Sequence, residues 1–218
     1  MTEPAYVPAV RTAYDTVAVD YAERLGDELD RKPLDRALLA TFAELVRADG
    51  GGPVADLGCG PGRVATVLHG LGLDAIGVDL SPVMLAIARK AYPELRFVEG
   101  LLTALPIADG ALAGALAWYS IIHTPPEQLP AVFAEFARVL APDGHLLVAH
   151  QAGDDELVHL ERGFGHEVSL DVYRLSPDRV VERLRRAGFV VHSRVRHDPP
   201  GPESNPQAYL LARKPQRP

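Results

Sequence analysis

The sequence predicts an α/β protein whose parallel sheet is covered by helices on both faces. From Pro53 onward, short apolar segments alternate along the chain with segments of helical periodicity. The apolar segments are almost continuously hydrophobic, which is typical of strands buried on both sides of a parallel sheet. The first of them leads into a glycine-rich turn that opens a helix. Ligands of such folds bind beyond the carboxyl ends of the strands, so we expect the functional site there.

Two helices precede the alternation. The segment AVRTAYDTVAVDYAERL carries apolar and aromatic side chains at helical spacing, and PLDRALLATFAELVRADG forms a second helix that ends at glycines 50–52. The five strands that follow are PVADLG, DAIGVDL, LRFVEG, ALAGALAWYS and HLLVAHQ. The helices between them are RVATVLHGLG, SPVMLAIARKAY with Ser81 as its N-cap, and EQLPAVFAEFARVL. The segment APDG is predicted to form a turn before the fifth strand.

The alternation is interrupted after the fifth strand. Within residues 151–177, the segments ELVHL and EVSLDVY alternate in hydrophobicity and are expected to pair as a β-hairpin across ERGFGH. The segment SPDRVVERLRRAGF then predicts a helix with Ser176 as its N-cap, and VVHSRVRH and AYLLARK predict two final strands. Because the insertion leaves the carboxyl end of the fifth strand, we expect it to form a cap over a substrate pocket.

Composition indicates one globular domain over residues 1–218. The 218-residue chain is 47% hydrophobic and carries a formal net charge of −7, so no basic nucleic-acid-binding face is expected. Cys59 is the only cysteine, which rules out an internal disulfide and favours a reducing compartment. No signal peptide or membrane-spanning segment is predicted. We therefore expect a cytoplasmic monomer or homodimer, and no metal, because the histidines lack the spacing of metal ligands.

The glycine-rich turn and the acid after the second strand indicate a nucleoside site. Gly58, Gly60 and Gly62 follow the first strand, and glycines allow backbone N–H groups to approach a ligand closely. Their spacing does not fit the dinucleotide pattern G-x-G-x-x-G. Asp79 ends the second strand, 23 residues after Asp56. A carboxylate at that position can accept hydrogen bonds from the 2′ and 3′ hydroxyls of a ribose.

Asp56 distinguishes between possible nucleosides. A carboxylate beside the turn would repel a pyrophosphate and attract an ammonium group. S-adenosylmethionine has a ribose, an ammonium group and a sulfonium, and it has no phosphate. The alternative interpretation is that Asp56 stabilises the glycine turn through bonds to its own backbone.

Several segments together resemble the class I S-adenosylmethionine-dependent methyltransferases, in particular the small bacterial type 11 methyltransferase-domain proteins. VADLGCGPGRVA looks like their first motif, Asp79 matches their ribose-binding acid, and the region from LTALPIADG to LLVAHQ looks like their fourth and fifth strands. The resemblance spans roughly Tyr14 to Lys214. It implies a Rossmann-like, mostly parallel seven-stranded sheet with an antiparallel last strand, and a helical lid over about residues 5–48. It also implies methyl transfer from S-adenosylmethionine to a small molecule, releasing S-adenosylhomocysteine.

The resemblance and the motifs together select the candidate cofactor-binding residues. These are Tyr14, Tyr21, Asp56, Gly58, Cys59, Gly60, Asp79, Leu80, Met84, Leu101, Leu102 and Ala117. The resemblance suggests that Tyr21 reaches the methionine carboxylate, although packing within the first helix is an equal alternative for both tyrosines. Leu101 and Leu102 stand where the family often has a polar residue for the adenine amino group, so apolar contacts and backbone groups are expected to hold the adenine.

The candidate substrate-binding residues follow the fourth and fifth strands. Trp118 and Tyr119 offer aromatic faces to a cation, but neighbours on a strand point to opposite sides, so one of them is expected to pack in the core. His123 is the candidate catalytic base, the alternative being a loop histidine bonded to backbone. The polar candidates of the cap region are His150, Gln151, His166 and Tyr173.

Two other functions are compatible with parts of this pattern. A non-catalytic module that binds S-adenosylmethionine would keep the same nucleoside site. An oxidoreductase using a nicotinamide dinucleotide would also have a glycine turn and an acid, but the glycine spacing and Asp56 disfavour it.

Overall fold

The architecture is that of a computed structural model, which describes residues 3–199 and 205–216. Its α-helices are α1 (Val7–Leu25), α2 (Pro33–Ala48), α3 (Arg63–Gly70), α4 (Pro82–Ala91), α5 (Leu129–Val139) and α6 (Pro177–Arg186). Its strands are β1 (Pro53–Leu57), β2 (Asp74–Asp79), β3 (Arg96–Glu99), β4 (Leu112–Trp118), β5 (Leu140–Gln151), β6 (Glu156–Gly163), β7 (His166–Arg174), β8 (Val190–His197) and β9 (Gln207–Arg213). Short 3₁₀ turns cover Glu28–Arg31 and Ile121–His123.

Seven strands form one sheet in the order β3-β2-β1-β4-β5-β9-β8. Strands β1 to β5 pair in parallel, whereas β9 runs antiparallel to both of its neighbours. The remaining two strands, β6 and β7, form a separate antiparallel hairpin. The predicted seven-stranded sheet, its antiparallel last strand and the hairpin are thereby confirmed.

Both faces of the sheet are covered, as the apolar strands require. On one face, Phe133 and Phe136 of α5 pack in a cluster with β4, β5 and α6. On the other, Phe42 of α2 packs with α3 and the opposite sides of the same strands. Gly114 of β4 lies so close to α2 that a Cβ there would meet Phe42 and Val46. The two layers leave only the ends of the strands accessible to a ligand.

Two local predictions differ from the structure. The sequence predicts a turn over 141–144, but this segment belongs to β5, because backbone bonds tie it to Lys214: the Asp143 N–H donates to the Lys214 carbonyl at 2.7 Å, and the Lys214 N–H donates to the Gly144 carbonyl at 2.9 Å. Asp143 keeps a turn-like φ of 66° within the strand. Ser176 occupies the predicted N-cap position, but its hydroxyl makes no capping bond. The Ser176 N–H instead donates to the Asp155 carboxylate at 2.7 Å. The other predicted N-cap is confirmed, since the Ser81 hydroxyl accepts from the Met84 N–H at 3.1 Å.

Candidate active site

A cavity of about 430 Å³ lies beyond the carboxyl ends of β1, β2 and β4. Its walls come from α1, the glycine turn after β1, the end of β2, the segment after β4, and the β6–β7 hairpin. Its size falls in the usual range of small-molecule sites. The predicted residues that line it are Tyr14, Tyr21, Asp56, Gly58, Cys59, Gly60, Asp79, Leu80, Met84, Leu102, Trp118, Tyr119, His123 and Gln151.

The glycine turn and Asp79 form one rigid unit. Gly58 and Gly60 have φ angles of 82° and 53°, in the left-handed region that favours glycine. A Cβ on Gly58 would overlap the Cβ of Ser120, whereas a Cβ on Gly60 would meet only open space. The Asp79 carboxylate accepts hydrogen bonds from the N–H groups of Gly60 at 2.7 Å and Ser81 at 2.8 Å. These bonds fix the carboxylate at the cavity wall and oppose the rise in its pKa that burial causes.

Asp56 is the most unusual group in the cavity. Its side chain is only 1% exposed, and neither carboxylate oxygen has a hydrogen-bond partner of standard geometry in the described part of the chain. Burial raises the pKa of Asp56 to about 7, although the positive charge of Arg63 acts in the opposite direction. The Ala65 N–H of α3 acts on this carboxylate and slightly lowers its pKa, but in the described part of the chain no N–H group of the glycine turn itself bonds it. An unpartnered buried carboxylate is costly unless a ligand compensates it.

Arg63 is a site residue that sequence reasoning missed. It is the first residue of α3, and its side chain is 12% exposed at the cavity wall. Its Nη1 atom lies 2.8 Å from Glu28, which also pairs with Lys32. A buried guanidinium can bind a carboxylate strongly. The signal was present, because this arginine directly follows the glycine turn at the start of a helix.

Helix α1 closes the cavity from above. The Ser81 hydroxyl donates to Asp15 at 2.5 Å, and Arg11 donates to the Leu80 carbonyl at 3.2 Å, so the helix is tied to the end of β2. Tyr14 and Tyr21, one below the other on this helix, have ring centroids 5.9 Å apart. Both tyrosines therefore face the cavity while packing against each other.

His123 and Tyr14 form a hydrogen-bonded pair at the cavity wall. The Nδ1 atom of His123 lies 2.8 Å from the carbonyl oxygen of Asp171, which can only accept, so Nδ1 carries the proton. The Nε2 atom is then an acceptor, and the Tyr14 hydroxyl donates to it at 2.8 Å. Burial lowers the pKa of His123 to about 4, so its ring is neutral at pH 7. In this pair, a hydrogen-bond-accepting nitrogen of His123 lies behind the Tyr14 phenol, which faces the cavity.

Trp118 and Tyr119 lie on the same side of the sheet, contrary to the expected alternation. Tyr119 has a φ of 57°, which turns its ring back toward Trp118 at a centroid distance of 5.7 Å. The Tyr119 hydroxyl lies 3.0 Å from that of Tyr209, which donates to the buried carboxylate of Asp35 at 2.8 Å. A chain of hydrogen bonds therefore fixes the orientation of Tyr119 at the cavity.

Five of the predicted site residues do not line the cavity. Ala117 is fully buried in the core beside β5. His150 is also fully buried, and its Nδ1 atom bonds the adjacent carbonyl of Gln151. Leu101 forms an isolated bridge with Ala104, and its two neighbours, Gly100 and Leu102, line the cavity in its place.

The other two belong to the hairpin. His166 lies at the start of β7, where its Nε2 atom pairs with Asp20 of α1 at 2.7 Å on the outside of the molecule. Tyr173 packs against the core under the hairpin. The side chains that the hairpin does direct into the cavity are aliphatic or aromatic ones that were not predicted, namely Leu160, Phe164, Val168, Leu170 and Val172.

Comparisons with known proteins show which proteins this chain resembles. Residues 54–144 match a family described as "Methyltransferase domain". The demethylmenaquinone methyltransferase of Chlorobaculum parvum is 38% identical over 92 residues, which are 42% of this chain and 37% of that protein. The trans-aconitate 2-methyltransferase of Rhizobium meliloti is 36% identical over 146 residues, which are 66% of this chain and 52% of that protein. The chain thus spans between about a third and half of the length of these relatives.

Solved structures agree on the fold. The magnesium protoporphyrin IX methyltransferase of Synechocystis PCC 6803, solved with bound S-adenosylmethionine, superimposes with a TM-score of 0.73 at 17% identity. The match covers 98% of this chain and 99% of that structure. The sheet order is that of a Rossmann-like fold, and residues 54–144 are similar in sequence to methyltransferase domains. S-adenosylmethionine is the ligand bound in the Synechocystis structure.

Two structural features are absent from the described residues: a cluster of metal ligands and a membrane-spanning helix. Within residues 3–199 and 205–216, no three histidine, cysteine or acidic side chains come together as a metal site would require. In the same ranges, no helix combines the length and the apolar character needed to cross a bilayer.

Proposed function

We propose that this protein transfers a methyl group from S-adenosylmethionine to a small-molecule acceptor. The observation that carries the proposal is Asp56, a buried carboxylate without a hydrogen-bond partner beside an open glycine cradle. An ammonium group is the ligand that would compensate this charge, and a phosphate would be repelled by it. A nicotinamide dinucleotide therefore fits the same cavity poorly.

The cavity offers partners for the ribose and for the amino-acid portion of the cofactor. Asp79 would accept hydrogen bonds from the ribose hydroxyls, and its fixed position, held by two backbone N–H groups, supports this role. Asp56 suits the ammonium group, and Arg63 suits the carboxylate of the methionine portion. Leu102 and Met84 provide apolar surface for the adenine. Gly60 leaves open space, so the ligand can approach the backbone of the turn closely.

When bound, S-adenosylmethionine supplies an electrophilic methyl group, whose bond to sulfur breaks as the acceptor atom bonds to carbon, with the electron pair remaining on sulfur. The residues of this chain orient the reactants and keep water out, and such positioning supplies much of the rate. Tyr14 and His123 can take up the proton that the acceptor loses. The phenol oxygen receives it while the phenol proton moves to Nε2 of His123. Because the pKa of His123 is about 4, the pair takes up a proton only from an acidic group. The acceptor becomes such a group as its reacting atom bonds to the methyl carbon.

Small-molecule acceptors are supported by the relatives, whose names refer to demethylmenaquinone and trans-aconitate. The net charge of −7 also disfavours a nucleic-acid acceptor. The proposed arrangement is a single domain in which α1 and α2 form a lid, and the β6–β7 hairpin caps the acceptor.

Calorimetry with S-adenosylhomocysteine and with NAD tests the proposal. We expect S-adenosylhomocysteine to bind and NAD to give no measurable heat, and tighter binding of NAD would contradict the proposal. The Asp79→Ala variant should lose at least about tenfold in S-adenosylhomocysteine affinity, because hydrogen bonds to a charged acceptor are worth about 1.5–3 kcal/mol each. Asp74→Ala, an exposed acid at the opposite end of the same strand, is the matched control and should bind as wild type.

A methyl-transfer assay separates the enzyme from a non-catalytic sensor. It uses labelled S-adenosylmethionine and a panel of phenols, amines, thiols and carboxylic acids. Transfer to at least one compound that is lost in Asp79→Ala supports the enzyme. Tight cofactor binding without transfer to any compound in the panel supports the sensor.

A further inference from the structure

The β6–β7 hairpin presents an apolar face to the cavity. Leu160 of β6 and Val168, Leu170 and Val172 of β7 line it, and Leu160 lies directly opposite Leu170 in the ladder. The three β7 residues are two positions apart, so they share one face of the strand. The intervening Glu167, Ser169 and Asp171 are exposed. The hairpin therefore separates an aliphatic inner wall from a polar outer surface.

Helix α1 supplies the opposite wall. Val10, Ala13 and Val17 line the cavity from this helix and are each no more than 5% exposed. Ile122, in the turn after β4, continues the apolar surface below them. At the hairpin tip, Phe164 packs on Tyr21 with ring centroids 5.0 Å apart. The space between α1 and the hairpin is thus bounded by hydrocarbon on both sides.

The charged groups of the cavity belong to its other half. Asp56 and Arg63 flank the glycine turn, and Asp79 ends β2. Glu28 lies between Arg63 and Lys32 and pairs with both. In the described ranges, no lysine, arginine or acidic side chain among the lining residues comes from the hairpin or from α1. A charged acceptor between these walls would lack a counter-charge, and burying an unpaired ion is strongly unfavourable.

The polar groups near the apolar walls are neutral ones. The lining includes Tyr14 and Tyr119, whose hydroxyls are bonded to His123 and Tyr209 and keep acceptor capacity on oxygen. It also includes Gln151 and Gln207, from paired positions of β5 and β9. The side-chain oxygen of Gln207 is buried without a hydrogen-bond partner in the structure. Such groups bind hydroxyl and carbonyl functions.

We propose that the acceptor is an uncharged, largely apolar compound with a hydroxyl group, bound between α1 and the inner face of the β6–β7 hairpin, with its hydroxyl directed to Tyr14. This inference rests on the proposed methyl transfer and specifies its substrate class. It excludes polycarboxylates such as the acceptor named for one of the relatives.

Binding of two matched probes tests the substrate class without relying on turnover. The probes are 2-naphthol, which is neutral at pH 7, and 2-naphthoate, a carboxylate of similar shape. Calorimetry is performed on the protein saturated with S-adenosylhomocysteine and on the protein alone. We expect 2-naphthol to bind at least about tenfold more tightly than 2-naphthoate, because only the carboxylate must lose hydration without a counter-charge. Equal or tighter binding of 2-naphthoate, or no binding of 2-naphthol, overturns the proposal.

Variants on the two faces of β7 locate the probe. Leu170→Asp places a charge on the inner wall and should weaken 2-naphthol binding at least about tenfold, with S-adenosylhomocysteine affinity within about threefold of wild type. Ser169→Asp adds the same charge on the outer face and should change neither affinity. If Leu170→Asp does not fold, Val168→Thr, which keeps the shape of the side chain, should weaken 2-naphthol binding by itself. Equal effects of the inner-face and outer-face variants overturn the proposal.

These experiments distinguish failure of the proposed function from failure of the proposed substrate class. If S-adenosylhomocysteine does not bind, the proposed function fails. The preference between the two probes, measured on the protein alone, still decides whether the walls select an apolar neutral ligand.

Discussion

Asp56 is a carboxylate whose charge depends on its ligand. Without one, burial raises its pKa to about 7, so at pH 6 most molecules carry a proton on Asp56. An ammonium group beside it favours the ionised form and lowers the pKa. Binding of the amino-acid portion of the cofactor must therefore release a proton when the pH lies below about 7.

The affinity for S-adenosylhomocysteine should consequently rise with pH. We expect about a tenfold increase between pH 6 and pH 8, because each pH unit below the free pKa costs up to a factor of about ten. Titration calorimetry in buffers of different ionisation enthalpy should detect proton release at pH 6 and little at pH 8. Asp56→Asn is the matched variant. It should bind S-adenosylhomocysteine more weakly than wild type, and its affinity should lack the pH dependence that titration of Asp56 causes. A pH-independent wild-type affinity would show that Asp56 does not contact the ammonium group.

Among the individual residues of the site, some could be predicted from the sequence and others could not. Asp56 and Asp79 were predictable because the glycine turn and the two strand ends define their places locally. The Tyr14–His123 bond joins residues 109 positions apart, so only the folded chain brings them together. The direction of Tyr119 depends on a left-handed φ at a residue other than glycine, for which the local sequence gives no signal.

The glycine turn is the element on which the site depends most directly. It passes between the ends of β2 and β4, with the N–H groups of Gly58 and Cys59 both bonded to the Val78 carbonyl. Gly58 touches Ser120 on one side, while Gly60 faces open space in the cavity. The two glycines share a left-handed backbone and differ in what surrounds them.

Alanine at these two positions should therefore have different effects. Each variant incurs roughly 1–2 kcal/mol of backbone strain from the positive φ. Gly58→Ala adds an overlap with Ser120, so its free energy of unfolding should fall further than that of Gly60→Ala. Gly60→Ala should fold but lose S-adenosylhomocysteine affinity, because its methyl group occupies space that the ligand needs. Urea denaturation and calorimetry on both variants check this, and equal destabilisation of the two would contradict it.

In the β6–β7 hairpin, the strands agree with the sequence prediction but the cavity-facing side chains differ from it. The alternation predicts the strands, whereas the predicted polar contacts His166 and Tyr173 do not line the cavity. The same alternation predicts which side chains face inward, since the even-numbered residues 168–172 are apolar and the odd-numbered ones are polar. Burial of the apolar face directs the aliphatic side chains inward. His166 is even-numbered, like the inward-facing residues. It lies at the end of the strand, however, where its side chain bonds Asp20 and does not face the cavity.

At the scale of the whole molecule, the stability of the fold depends on keeping buried histidines neutral. His150 lies near the carboxyl end of β5, fully buried, and its Nε2 atom has no hydrogen-bond partner among the described residues. Burial lowers its pKa from 6.5 to about 4. The unfolded chain therefore binds a proton at this residue between pH 6.5 and 4, whereas the folded protein does not. The stabilisation is fully present above pH 6.5 and is lost as the pH falls through 4.

Replacing His150 with glutamine should make acid denaturation less steep. Within this window one extra proton on the unfolded chain gives a slope of about 1.4 kcal/mol per pH unit in the free energy of unfolding. His150→Gln lacks that proton, so its slope should be smaller than that of wild type by about this amount. His123 adds to the slope, and Asp56, with its raised pKa, acts in the opposite direction; both contributions cancel when the variant is compared with wild type. His69→Gln, at an exposed position of α3, controls for loss of a histidine. Urea denaturation at half-unit steps from pH 4 to 7 measures the three slopes, and a His150→Gln slope equal to that of wild type would show that His150 is protonated equally in the folded and unfolded states.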